Sequence, residues 1–181
     1  GMTAGPGVID RVWLEPDTGE IGFHTIEDKA PIGICGSGMI DLAAALFLSG
    51  RMDIRGRLVQ ASCKDKLIRK DGISAFILAD EKHSGTREPI VLSQLDLNSL
   101  TSSKAAMYTI LEVIVKNTAG LEFHDLANFL VAGTFGSFIN PVSAISIGML
   151  PDIPTSLFEV MGNSSLGGCK ELLLNPEAYD R

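Results

Sequence analysis

The chain has 181 residues, 45% of them hydrophobic and 20% charged, and carries a formal net charge of -7 at pH 7. That size suits one domain with a real core or two small lobes, and the acidic balance argues against nucleic acid, which calls for a basic surface. No apolar run reaches membrane-spanning length and no signal-peptide pattern opens the chain, so the expectation is a cytoplasmic protein with no membrane partner.

The opening Gly1-Met2-Thr3-Ala4-Gly5-Pro6-Gly7 reads as a cut made inside a longer protein. Residues 8–14 alternate and end in Glu15-Pro16-Asp17-Thr18-Gly19, a strong turn signal; residues 20–26 read as the return strand of a β-hairpin. A glycine cluster follows at Gly33, Gly36 and Gly38, then a stretch helical in composition over residues 39–49, with Gly50 as its stop. The cluster is not a Gly-x-Gly-x-x-Gly fingerprint, because Asp41 stands at the last glycine position. Asp41 falls in the expected first helical turn, where it complements the helix dipole better than it serves a magnesium ion.

Residues 51–70 are polar and mixed, a connection with short extended pieces. Residues 73–79 and 88–94 read as paired strands around a solvated loop tip at 81–87. The longest helix is expected over 98–118, with Gly120 breaking it. Lys104, early in that helix, could reach an adenine or a phosphate, although such a lysine is more often a solvated surface residue.

Two strand–glycine–helix units close the chain. In the first, an apolar run over 126–132 stops at Gly133-Thr134-Phe135-Gly136; Asn140 then caps a helix with Pro141 as its first residue, expected to run to about Leu150. In the second, residues 157–161 stop at Gly162-Asn163-Ser164-Ser165 and again enter a helix. A strand–helix–strand of this length reads as a right-handed crossover between parallel strands. Both glycine loops then lie at one sheet edge, where α/β folds bind ligands and free helix amides suit a phosphate. Asn163, Ser164 and Ser165 can donate hydrogen bonds there. Taken singly, each loop is better explained as glycines that cap strands, with Ser164 capping the second helix; the two together at one edge balance that reading against a nucleotide site.

The chain has three cysteines and three histidines, all dispersed, which fits reduced thiols and argues against a metal site or an iron–sulfur cluster held by this segment alone. There is no Gly-x-x-x-x-Gly-Lys-Ser/Thr loop, no nucleophile–His–acid set and no motif-placed carboxylate pair.

Four motifs carry a family resemblance: Gly33-Ile34-Cys35-Gly36-Ser37-Gly38-Met39-Ile40-Asp41, Phe129-Leu130-Val131-Ala132-Gly133-Thr134-Phe135-Gly136, Ala144-Ile145-Ser146-Ile147-Gly148-Met149-Leu150-Pro151, and Gly162-Asn163-Ser164-Ser165-Leu166-Gly167-Gly168. Together they resemble the C-terminal region of the reductive activators of corrinoid proteins, over nearly the whole chain. The resemblance implies an α/β fold, a ribonuclease-H-like (actin-like ATPase) lobe with an additional β-hairpin region. It implies ATP, with Mg in the full-length protein, and reduction of Co(II) corrinoid to Co(I) on a partner methyltransferase protein. It makes Gly133, Thr134, Phe135 and Gly136 the adenosine motif, with Gly162, Asn163, Ser164 and Ser165 nearby and Gly36, Ser37 and Gly38 lining the cleft.

This sequence departs from the family pattern in two ways. Ala132-Gly133-Thr134 replaces the usual double glycine. The aspartate–glycine–threonine phosphate loops and the ferredoxin-like domain are not in this chain. The expected organisation is a partial actin-like ATPase domain of a longer protein, with hairpins and connections over 1–97 and the nucleotide-side units over 98–181. Alone it is expected to be inactive. A kinase or phosphohydrolase lobe of the same superfamily and a protein-docking module are the alternatives, and a homodimer is a candidate assembly.

Overall fold

The computed structural model describes residues 1–133, 135–175 and 177. The expected hairpin is present as β1 (Val8–Leu14) and β2 (Ile21–Thr25), antiparallel, turning at Gly19 with φ +67°. Trp13 faces Gly22 across the hairpin, and its indole lies where a Cβ on Gly22 would be 2.7 Å away. β3 (Gly33–Ile34) adds parallel to β1, giving the order β2-β1-β3.

α1 (Gly36–Leu48) begins three residues before the expected start at Met39. The reason is Gly38: a Cβ there would lie 2.6 Å from the Ile9 carbonyl oxygen, so only glycine lets the first turn rest on β1. Ala43, Ala44 and Ala45 are buried along the same helix, and small side chains permit close packing on both β1 and the later helix Pro141–Ser146. Gly50, at φ +69°, ends the helix as expected, its N–H donating to the Phe47 carbonyl.

The connection contains a short helix α2 (Gln60–Cys63) and a Met52–Leu58 bridge. Then β4 (Leu67–Lys70), β5 (Ile73–Ala79) and β6 (Ile90–Ser93) form an antiparallel meander. The loop between β5 and β6 is the solvated turn expected: Asp80 Oδ1 accepts from the backbone of Lys82 and His83 and pairs with His83 Nδ1 at 2.6 Å. These bonds, led by the one to the imidazole, hold the Asp80 carboxyl below its ordinary range.

α3 (Gln94–Glu112) starts four residues earlier than the spacing of apolar residues suggests. Ser93 and Asp96 make a reciprocal capping box: the Asp96 N–H donates to Ser93 Oγ at 3.2 Å and the Ser93 N–H to Asp96 Oδ2 at 3.0 Å. A π-helical turn, Val113–Thr118, extends it before Gly120.

The last units are β7 (Phe129–Ala132), α4 (Pro141–Ser146), β8 (Phe158–Gly162) and α5 (Ser164–Leu174), with β7 and β8 parallel as expected. α4 stops well short of Leu150. Gly148 takes φ +70°, and Met149 N–H turns back to the Ala144 carbonyl at 2.8 Å, closing the helix. One main core joins Ile9, Val12, Ile40, Leu42, Leu46, Phe76, Leu92 and Leu97 to Ala144, Ile147 and Met149.

Candidate functional site

The parallel pairing of β7 with β8 brings both strand ends to one sheet edge. Phe129 pairs with Phe158, their rings 4.9 Å apart, and Ala132 pairs with Gly162. The two glycine loops are themselves hydrogen-bonded, because Gly133 N–H donates to the Gly162 carbonyl at 2.7 Å. Both glycines take positive φ, +103° at Gly133 and +62° at Gly162, so each chain reversal depends on the absence of a Cβ.

Beyond Gly133 the chain folds back tightly. A Cβ on Gly136 would lie 2.6 Å from Val131 Cγ1, and the Ser137 amide and hydroxyl both donate to the Gly133 carbonyl at 3.2 Å. Thr134 lies outside the described residues. Asn140 Oδ1 accepts the Val142 N–H at 3.0 Å, the cap expected for α4. In the second loop Asn163, not Ser164, is the N-cap: its Oδ1 accepts the Leu166 N–H at 3.0 Å. Ser164 and Ser165 stand exposed in the first turn of α5, with helix-start amides beside them.

The third glycine cluster divides. Gly36 meets the first loop, since a Cβ there would lie 2.5 Å from Cε2 of Phe135. Both residues line a cleft of about 400 Å³ with Met39, Ser103, Met107 and Met149. Ser37 and Gly38 instead turn to β1. The buried Ser37 hydroxyl donates to the Asp10 carbonyl at 3.1 Å, and Gly38 lies on Ile9. Their expected place lining the cleft gives way to packing, because α1 starts early enough to set them in its first turn against the sheet.

Lys104 is also elsewhere. Its Nζ donates to the Ile147 carbonyl at the end of α4, at 2.5 Å, in a recess shared with Phe47, Met52, Ile54 and Gly148. Burial pushes its ammonium below the usual lysine range. A cation on a carbonyl at a helix C-terminus is a stabilising arrangement, and it occupies the Lys104 ammonium away from the glycine loops.

The family model described as the C-terminal domain of RACo, the ASKHA domain, matches residues 1–181. The chain belongs to this family. It is 31% identical over 186 residues to the corrinoid activation enzyme RamQ of Eubacterium limosum, covering 98% of this chain and 30% of RamQ. It also matches a solved structure of a reductive activator for corrinoid, iron–sulfur protein at TM-score 0.89 and 33% identity, covering 99% of this chain and 28% of that one. The chain therefore spans less than a third of the length of these relatives. The actin-like α/β lobe with an added hairpin region, implied by the four motifs, is the fold of this ASKHA domain.

Within the ASKHA domain, Asp41 differs most from its sequence reading. The early start of α1 moves it out of the first turn, and it is only 5% exposed. Its Oδ2 accepts the Val12 N–H at 3.3 Å, whereas Oδ1 makes no hydrogen bond. Burial raises its pKa above the ordinary carboxylate range, opposed by Ser143 of α4, the Val12 amide and Arg11. Asp41 thus joins β1, α1 and α4 at one point. Sequence reading also missed the Gly36–Phe135 contact, which joins residues distant in sequence and has no local signal.

Among the described residues no three His, Cys, Asp or Glu side chains converge as metal ligands. No helix of the described residues is long and apolar enough to cross a membrane.

Proposed function

We propose that this chain is the adenosine-side lobe of an ATP-dependent reductive activator that helps reduce Co(II) corrinoid to Co(I) on a methyltransferase partner. The observation that carries this reading is the Gly133–Gly162 hydrogen bond, which fastens two glycine reversals into one edge. The donor chemistry fits a nucleotide: close backbone approach at Gly133 and Gly162, and hydroxyls at Ser164 and Ser165 beside helix-start amides. ATP is the cofactor, Gly133, Phe135 and Gly136 face its adenosine, and Asn163 positions the second loop through the α5 cap. The phosphate loops, the Mg2+ ligands and the iron–sulfur domain that donates the electron belong to other parts of the longer polypeptide. The kinase alternative is disfavoured by the corrinoid-activating relatives.

The organisation follows the same reading. Residues 1–97 form the hairpins and connections, and residues 98–181 form the nucleotide side of a domain that continues in a longer protein. Two facts support it: the chain spans 30% of RamQ, and Leu130, Val160, Met161 and Leu173 stand exposed. Exposed apolar groups of this kind also fit a docking face for the corrinoid protein in the cytoplasm, with nucleotide binding changing the docking.

Calorimetric titration of the full-length protein with ATP tests the site. Combined Gly133→Val and Gly162→Val substitution is expected to abolish measurable binding, and unchanged affinity would sink the assignment.

A further inference from the structure

Resting on the nucleotide reading above, we propose that Phe135 is a positioning residue. Its ring, seated on Gly36, sets where the 133–136 loop lies against α1 and so sets the loop's affinity for a nucleotide.

Three observations carry this. First, the fit is specific to glycine. A Cβ at residue 36 would lie 2.5 Å from Cε2 and 3.1 Å from Cζ of the ring. Two segments 99 residues apart in sequence (135 minus 36) therefore meet through one aromatic edge and one bare backbone position. Second, the ring is not core filling. Phe135 is 56% exposed and forms a wall of the 400 Å³ cleft together with Gly36, Met39 and Met149. A side chain so open to solvent contributes little to the fold, yet it borders the space a ligand at this loop would enter.

Third, both ends of the contact are held. On one side Gly133 is tied to Gly162, and the Ser137 amide and hydroxyl return to the Gly133 carbonyl. On the other side α1 lies on β1 through Gly38 and on the Val12 amide through Asp41. The Phe135–Gly36 contact then joins two segments that are each anchored elsewhere. Displacing the ring is expected to shift residue 135 relative to α1 while the anchors at Gly133, Ser137, Gly38 and Asp41 stay in place.

The test is a double-mutant cycle in the full-length protein, read as the ATP dissociation constant by calorimetry alongside the melting temperature. A new methyl at residue 36 meets the far end of a side chain that can swing into solvent. Gly36→Ala is therefore expected to leave the melting temperature nearly unchanged and weaken ATP binding by about fivefold or more. Phe135→Leu weakens binding alone. Gly36→Ala combined with Phe135→Leu is expected to match Phe135→Leu, because the clash has lost its partner. Wild-type affinity in Gly36→Ala, or losses that simply multiply in the double variant, would overturn the inference while leaving the nucleotide site standing. Absence of ATP binding by the wild-type protein removes the nucleotide site and this inference together. Should Gly36→Ala unfold the protein, Phe135→Tyr and Phe135→Leu decide: tyrosine keeps the ring and is expected to keep affinity, and equal affinity in the two overturns the proposal.

Discussion

In the hairpin region Val8, Ile9 and Val12 are buried, and α1 lays Ile40, Leu42 and Leu46 against them. In the parallel pair β7–β8, by contrast, Leu130, Val160 and Met161 stand in solvent, and α5 exposes Leu166, Leu172, Leu173 and Leu174. α3 covers part of one face of the pair and leaves an apolar cavity of about 280 Å³ between Met107, Leu111, Phe129 and Phe158. Parallel strands are ordinarily buried on both faces. The first region is a finished core; the second leaves apolar side chains open, and on the function proposed above it is the edge that faces a nucleotide and is covered by the rest of a longer protein. The glycine loops sit on the second region, and Gly36 and Asp41 join it to the first.

The largest expected effect sharpens that contrast from the core side. Leu46→Ala should cost about 2–5 kcal/mol in denaturant unfolding of the full-length protein, since Leu46 is fully buried. Leu130→Lys and Met161→Lys test the other side. If these residues are covered in the longer protein, each should lower its stability by roughly 1.5–3 kcal/mol, the scale of a buried apolar side chain. Ile54→Lys, on an exposed apolar residue of the first region, should stay within about 0.5 kcal/mol. Equal effects at Met161 and Ile54 would erase the distinction.

Lys104→Met should cost about 1 kcal/mol by freeing the α4 carbonyls, with ATP affinity unchanged. A large loss of affinity would return Lys104 to the nucleotide site.

The smallest effect is a pH dependence at the junction. The folded pKa of Asp41 lies above its unfolded value of 3.8, so the folded state holds this proton longer. Stability from this group is full below the unfolded value and is lost as pH rises through the raised one. Asp41→Asn retains an acceptor for the Val12 amide and removes the titration. The variant should lack that decline in a pH series of melting temperatures; an identical profile would show that Asp41 does not titrate in this range.

Much of the second region was legible because its signals are local. Asn140-Pro141 announces a cap and a first helical residue, and a strand that stops at Gly133 or Gly162 announces a reversal. What escaped depends on tertiary neighbours. The start of α1 at Gly36 follows from the Ile9 carbonyl beneath Gly38, which composition does not reveal. Gly148 ends α4 early although Met149 and Leu150 look helical. The resemblance set Ser37 at the cleft and Lys104 was a candidate for an adenine or a phosphate, but the Asp10 and Ile147 carbonyls claim their donors. The start of α3 was the exception: the Ser93–Asp96 box was readable, with aspartate standing in for the more common glutamate.

Hydrogen–deuterium exchange of the full-length protein with and without ATP compares the two regions in one experiment. ATP is expected to slow exchange at residues 133–138 and 162–167 and to leave the β1–β2 turn at 15–20 unchanged. Unaltered exchange in both glycine loops under saturating ATP would contradict their assignment as the adenosine edge.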